Sequence, residues 1–92
     1  MNQAQLIKKI NKLYPTVKAA PYQEFTSNKN DVGIWFRGSE DALIDNDLPL
    51  YDFWNPSWAE TFGVNPDFEQ FMYENGWYCE NYDAGTLLAF PY

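Results

Sequence analysis

Histidine is absent from this 92-residue chain, and cysteine occurs only once. The missing histidine removes the side chain whose ordinary pKa lies nearest to neutral pH, and with it Ser-His and Cys-His catalytic pairs and His-based metal sites. Because Cys79 has no cysteine partner, an internal disulfide is excluded and a cytoplasmic setting is expected. We interpret Cys79 as a buried structural residue, since the adjacent Glu80 disfavours a thiolate.

Long apolar runs and glycine-rich phosphate loops are also missing. No segment approaches the roughly 20 apolar residues needed to cross a bilayer, and the first residues lack the pattern of a secretory signal. The acidic run Asp45-Asn46-Asp47 does not follow the ligand spacing of an EF-hand loop. We therefore expect no membrane partner, no cofactor, no metal site and no catalytic residues.

Positive charge is missing from the second part of the chain. All six cations lie in residues 1–37, which hold two acids, whereas residues 38–92 hold eleven acids and no Lys or Arg. The two parts carry +4 and −11, which together give the net charge of −7. So few basic residues argue against direct nucleic-acid binding. The asymmetry marks either an interaction surface or a simple device for solubility.

Aromatic residues are abundant, with four Trp, seven Tyr and seven Phe. A buried ring removes roughly 150–250 Å² from water, so these side chains supply a core that a disordered chain lacks. The length suits one domain. We predict a single folded domain over residues 1–92.

The first predicted elements are a helix and a hairpin. Apolar residues recur at helical spacing over residues 3–14, and Pro15 ends the pattern. Two strands are predicted over residues 22–26 and 32–37, around the turn-rich segment 27–31. The apolar stripe of the helix consists of Leu6, Ile7, Ile10, Leu13 and Tyr14.

The middle of the chain is predicted as an ordered loop followed by two short helices. Residues 42–54 alternate acids with short apolar groups, and Leu50, Phe53 and Trp54 are expected to anchor the loop. Long loops in small domains are often functional. Asn-Pro pairs at residues 55–56 and 65–66 predict N-caps with proline in the first turn. The helices end at Gly63 and Gly76, and the second has the apolar stripe Phe68, Phe71 and Met72.

A second hairpin is predicted at the end of the chain, with strands over residues 77–82 and 86–90 around a connection at 83–85. The element order is then α-β-β-α-α-β-β. Antiparallel hairpins with helices on one face are typical of an α+β domain. We predict a small antiparallel sheet of about four strands.

Three segments carry a resemblance to known proteins. The runs Gly33-Ile34-Trp35-Phe36-Arg37-Gly38, Gly76-Trp77-Tyr78 and Tyr82-Asp83-Ala84-Gly85-Thr86 resemble parts of small uncharacterised proteins of phages and plasmids. In size, acidity and aromatic content the chain is similar to anti-CRISPR and anti-restriction proteins. The resemblance implies a location in the cytoplasm of a host cell and brings no catalytic residues with it.

Acids interleaved with aromatic residues are the strongest functional pattern in the sequence. Aromatic side chains provide contact energy at interfaces, and charge steers the encounter. We predict a non-enzymatic inhibitor that binds the basic surface of a nucleic-acid-handling defence protein by placing carboxylates where phosphates lie. An alternative is a structural or self-associating accessory domain, a homodimer for example, whose acidity only provides solubility. The predicted contact residues are Asp45, Asp47, Asp52, Glu60, Glu74, Trp54 and Trp58.

Overall fold

The computed structural model describes residues 1–26, 32–39, 41–45 and 48–92, and shows an α+β fold. This confirms the predicted class. The α-helices are α1 (Gln3–Leu13) and α2 (Pro66–Glu74), with 3-10 helices at Pro15–Val17, Tyr22–Glu24 and Pro56–Thr61. The strands are β1 (Ala19–Pro21), β2 (Ile34–Phe36), β3 (Leu43–Asp45), β4 (Leu48–Pro49), β5 (Trp77–Asp83) and β6 (Thr86–Pro91).

Helix α1 forms where the sequence predicts it. A capping box closes its first turn: Asn2 Oδ1 accepts from Gln5 N at 2.9 Å, and Gln5 Oε1 accepts from Asn2 N at 3.2 Å. Leu6 and Ile10 are fully buried. Leu13 departs from the predicted stripe and remains exposed, because the helix ends there and its last turn extends past the core.

The first hairpin is displaced from its predicted position. The strand that pairs with β2 is β1, and the predicted strand at 22–26 begins instead with a 3-10 turn closed by Phe25 N donating to Tyr22 O at 2.9 Å. This turn brings the Phe25 ring to 5.3 Å from Trp35 and the Tyr22 ring to 5.3 Å from Phe90. These ring contacts outweigh the local strand preference. The predicted turn at 27–31 lies outside the described residues.

The main sheet is antiparallel, with the strand order β1-β2-β6-β5. The predicted second hairpin is confirmed as β5 and β6, which pair from Trp77 opposite Pro91 to Asp83 opposite Thr86. Both α-helices pack on one face of the sheet and enclose the main core. Its central members are Leu6, Ile10, Ile34, Phe36, Phe68, Met72, Trp77, Leu87 and Ala89.

Aromatic side chains cover the other face of the sheet. Tyr82 packs edge-on against Phe25 at 4.9 Å, and Tyr78 lies 6.2 Å from Phe90. These ring contacts form an aromatic cluster, which explains why Trp35 lies between the buried residues Ile34 and Phe36 along β2. Its members are Tyr22, Phe25, Trp35, Tyr78, Tyr82 and Phe90.

The segment predicted as a loop, 42–54, contains the small ladder of β3 and β4. Leu50 is fully buried and anchors the segment as expected. Phe53 and Trp54 do not, because both remain exposed to solvent. The main chain turns outward after the isolated antiparallel bridge between Tyr51 and Val64, which carries both rings away from the core.

Both Asn-Pro pairs begin helical segments. Asn55 Oδ1 accepts from Ser57 N at 2.9 Å at the start of the 3-10 helix, and Asn65 Oδ1 accepts from Asp67 N at 2.9 Å at the start of α2. Gly76 has a φ of +84° after α2, as the C-cap prediction requires. In the described ranges, no helix has the length and apolar character needed to cross a bilayer.

Candidate protein interface

Residues 52–63 form a surface loop whose two ends meet, and we call this segment the Ω-loop. Asp52 N donates to Gly63 O at 2.7 Å, next to the bridge between Tyr51 and Val64. One step further, Asn65 N donates to Leu50 O at 2.8 Å. The base of the loop is therefore closed by main-chain hydrogen bonds.

Gly63 makes that closure possible. Its φ is +87°, a conformation that side chains with a Cβ rarely adopt. A Cβ at this position would lie 2.6 Å from Phe53 Cα and 2.8 Å from Asp52 O. The two ends of the loop are thus packed backbone against backbone.

The interior of the Ω-loop is held by its own polar groups. Gly63 N donates to Trp58 O at 2.9 Å, and Trp58 N donates to Asn55 O at 3.1 Å. Thr61 Oγ1 donates to Val64 O at 2.6 Å. Because its peptide groups are bonded within the loop, the segment presents a defined surface to a partner.

A polar relay ties the Ω-loop to β5. Asn81 Nδ2 donates to Phe62 O at 2.8 Å and to Tyr51 Oη at 2.9 Å. Tyr51 Oη in turn donates to Asp83 O at 2.8 Å. Burial raises the pKa of Tyr51, the bond from Asn81 opposes that rise, and the charge of Asp83 adds to it. The phenol therefore keeps its proton and acts as a donor.

Large aromatic side chains project from this well-ordered loop. Trp54 keeps 78% of its surface exposed and Phe62 keeps 70%. Phe53 and Trp54 pack edge to face, with their ring centroids 4.9 Å apart. Phe62 also has a positive φ of 53°, which costs a bulky residue about 1–3 kcal/mol. Exposed rings on a strained and tightly bonded loop are typical of a contact surface.

The structure brings together four of the predicted contact residues. Asp52, Trp54, Trp58 and Glu60 all lie on the Ω-loop, with Glu60 exposed and with Asp52 and Trp58 half-buried. Glu74 is separate: it ends α2, about 12 Å along the helix axis from Pro66 at 1.5 Å per residue. Asp47 and the side chain of Asp45 lie outside the described part of the chain.

The charge asymmetry of the sequence becomes a spatial one. Residues 52–74 contain five acids and no Lys or Arg, and they lie on the β5 side of the sheet. Helix α1, with three lysines, packs against β1 at the opposite edge. Lys9 reaches α2, where its Nζ lies 3.2 Å from Asn75 Oδ1 and 5.3 Å from the centre of the Phe71 ring. The C-terminal end of α2, where Glu74 lies, is consequently the less negative end of this side.

A groove of about 420 Å³ runs between the end of the Ω-loop and α2, with Thr61, Pro66, Glu69, Gln70 and Tyr73 along its walls. Burial raises the pKa of Glu69, because the ionised carboxylate is partly withdrawn from water. A cationic side chain entering the groove would favour the ionised form. The groove therefore suits Lys or Arg from a partner.

Two prominent members of this surface, Phe53 and Phe62, are absent from the predicted contact residues. Phe53 is expected in the core from its apolar neighbours in sequence. Phe62 precedes Gly63, and that pair signals the end of a helix but says nothing about which way the Phe62 ring points. Exposure of both rings depends on closure of the loop base, which involves residues distant in sequence.

Cys79, the single cysteine, occupies a structural position. Cys79 packs against the core, and burial raises the pKa of its thiol, with the charge of Glu69 adding to the effect. The thiol is therefore protonated and unreactive. Within the described residues, no group of three or more His, Cys, Asp or Glu side chains is placed to hold a metal ion.

The Ω-loop, the acids around it and the adjoining strand β5 are the observations from which a function is inferred. They combine exposed rings, negative charge and an ordered main chain in one continuous region. Comparisons of the chain with protein-family models, curated proteins and solved structures return no match.

Proposed function

We propose that this chain is a non-enzymatic binding protein that covers the basic, nucleic-acid-binding surface of another protein. The observation that carries the proposal is the exposure of Trp54 and Phe62 on a loop closed by hydrogen bonds. Aromatic side chains near the centre of an interface contribute most of its binding energy. Because the loop is already ordered, little conformational entropy is lost on binding.

Charge supplies the second part of the proposal. Asp52 and Glu60 lie on the same loop as the exposed rings and give this surface a negative potential. A basic partner is attracted to such a surface and oriented by it, with carboxylates occupying the places of phosphates. The likeness of the chain to anti-CRISPR and anti-restriction proteins in size, acidity and aromatic content is the reason for proposing a host defence protein as the partner, such as a CRISPR effector or a restriction enzyme.

The test is direct binding to purified CRISPR effectors and restriction enzymes, with DNA as a competitor. We expect DNA to displace the protein, and the affinity to fall at least about tenfold between roughly 50 and 200 mM salt. Trp54→Ala should weaken binding at least about tenfold, in the range of interface hot spots. Leu13→Ala removes an exposed apolar side chain from α1 and serves as the control. Affinity that is insensitive to salt, or equal losses for both variants, would contradict the proposal.

Charge reversal gives a second, matched comparison. Glu60→Lys alters an exposed acid on the Ω-loop, and Glu24→Lys alters an exposed acid after β1. We expect the first variant alone to slow association with the partner, since steering depends on local potential. Sedimentation at two protein concentrations examines the alternative of self-association, for which a dimer unaffected by salt would be the supporting result.

A further inference from the structure

Strand β5 is an edge strand: among the described residues, no strand lies on its outer side. Tyr92 N donates to Gly76 O at 3.1 Å, which sets the alternation of hydrogen bonds along the pairing of β5 with β6. By that alternation the main-chain groups of Cys79 and Asn81 point away from β6. No hydrogen bond joins those groups to any other segment that the structure describes.

The opposite edge of the sheet is closed. Asn11 Nδ2 donates to Ala19 O at 3.0 Å, and Ala19 N donates to Asn11 Oδ1 at 2.8 Å, so one side chain satisfies both outward groups of Ala19. The next outward residue, Pro21, has no N–H to offer. An amide and a proline therefore prevent further pairing at β1, and β5 has neither device.

The side chains of β5 are suited to contact. On the face of the sheet away from the helices, Tyr78 and Tyr82 are exposed on either side of Glu80, which is also exposed. The irregularity of the strand is confined to its end, between Asn81 and Asp83. The regular part from Trp77 to Asn81 presents an edge that an extended chain can match.

The negative charge of β5 disfavours a second copy of this chain at the edge and favours a basic segment. A second copy paired antiparallel would bring the acids Glu80 and Asp83 of one β5 towards those of the other, and like charges facing each other across a ladder are destabilising. A basic segment would instead place Lys or Arg opposite these acids, and opposite charges across a ladder are stabilising. The edge also adjoins the Ω-loop, because Asn81 Nδ2 bonds to Phe62 O at 2.8 Å.

We infer that the free edge of β5 pairs with an extended segment of the partner that carries Lys or Arg at alternate positions. The segment adds a strand to the sheet through the main-chain groups of Cys79 and Asn81. Its side chains alternate between the two faces, so every second one meets the face of Tyr78, Glu80 and Tyr82. There the carboxylate and the tyrosine rings bind a cation. This inference rests on the proposed function and names the part of the partner that is bound.

The experiment uses the full chain and a synthetic heptapeptide of alternating Lys and Val. We expect amide hydrogen exchange at Cys79 and Asn81 to slow at least about tenfold on saturation, as in a newly formed ladder. The Ala19 amide should be unchanged, because Asn11 already bonds it. The same peptide methylated at every main-chain nitrogen keeps its charge, but it has no N–H to donate to β5 and its methyl groups prevent close approach to the strand, so no ladder forms and Cys79 and Asn81 should not be protected. Equal protection by both peptides, or none by the first, would overturn the inference.

Variants separate charge from main-chain pairing. Glu80→Lys should weaken binding of the unmethylated heptapeptide about tenfold, whereas Glu24→Lys, which alters an exposed acid in the 3-10 turn after β1, should leave it unchanged. Equal affinities for the two variants would count against the inference. If exchange at Cys79 and Asn81 slows with protein concentration alone, a second copy occupies the edge and the inference is wrong.

The outcome also distinguishes this inference from the proposed function. If a purified effector perturbs the Trp54 indole signal while Cys79 and Asn81 exchange as before, the interface exists without strand pairing. In that case the inference fails and the proposed function stands. If the heptapeptide protects β5 and no effector perturbs Trp54, the strand-pairing site is real and the proposed Ω-loop contact is wrong.

Discussion

The two edge strands of the sheet, β1 and β5, differ in whether their outward main-chain groups are hydrogen-bonded. At β1, the Asn11 amide bonds both main-chain groups of Ala19, and Pro21 has no N–H to donate. At β5, the main-chain groups of Cys79 and Asn81 have no partner among the described residues, and they lie beside exposed tyrosines and acids. An open edge exposes a protein to aggregation unless it is used or protected. The proposed contact surface lies on the side of the sheet where the edge is open.

The largest effect in this comparison is expected from Gly63→Ala, which distorts the loop on the open side. A Cβ would lie 2.6 Å from Phe53 Cα at a φ of +87°, so strain and clash together should cost about 3 kcal/mol of unfolding free energy. Gly76→Ala is the control, since Gly76 has a φ of +84° with nothing within 4 Å, and its cost should be about 1 kcal/mol. Urea unfolding measures both. Equal losses would show that contact with Phe53 is unimportant.

Asn11→Ala should convert the closed edge into an open one. Two hydrogen bonds to Ala19 are lost, so we expect about 2 kcal/mol of destabilisation and faster amide exchange at Ala19. Asn11→Asp keeps an acceptor for Ala19 N but cannot donate to Ala19 O, and its loss should be intermediate. Unaltered exchange at Ala19 in the alanine variant would contradict this account of the edge.

Tyr51→Phe should loosen the Ω-loop from the open edge. The change removes the donor to Asp83 O and one acceptor of Asn81, and we expect a loss of about 1 kcal/mol, measured by thermal unfolding. Tyr78→Phe removes an exposed hydroxyl from β5 and should change stability by less than about 0.5 kcal/mol. If the two variants lose equal stability, the polar relay does not support the loop.

The smallest effect is expected from Glu69→Gln in the groove on the open side. Burial raises the pKa of Glu69 above its ordinary value of 4.5, so the folded state holds the proton more tightly than the unfolded state. Ionisation of Glu69 therefore reduces the free energy of unfolding as the pH rises from about 4.5 through the raised pKa of the folded state, and the reduction persists at higher pH. The variant should gain less than about 1 kcal/mol at pH 7, because solvent screens the half-exposed group, and the gain should disappear below about pH 4. Denaturant titrations across pH measure it, and a gain independent of pH would contradict the assignment.

Elements with strong local signals could be predicted from the sequence. Helix α1 has a capping residue, an apolar stripe and a terminating proline, and the β5–β6 hairpin has two β-prone runs around a short turn. The first hairpin strand was predicted wrongly at 22–26. Its true position depends on Phe25 and Tyr22 reaching Trp35 and Phe90, rings that are distant along the chain.

The candidate interface was predictable only in part. Trp54, Asp52 and Glu60 follow from the acidic and aromatic pattern of the sequence, and all three lie on the Ω-loop. Phe62 does not, because its exposure follows from closure of the loop base and from the bond of its carbonyl to Asn81. The separation of Glu74 from the loop likewise depends on how α2 packs against β5.

The sequence by itself determined the class of the fold, the lack of histidine chemistry and the division of charge, because composition and short-range periodicity do not depend on packing. Only the tertiary structure decided which edge of the sheet is closed and which rings face solvent. Both outcomes depend on contacts between separate elements, such as Asn11 of α1 with Ala19 of β1 and Asn81 of β5 with Phe62 of the Ω-loop. Local sequence cannot specify those contacts, because packing of the elements around the shared core brings them together.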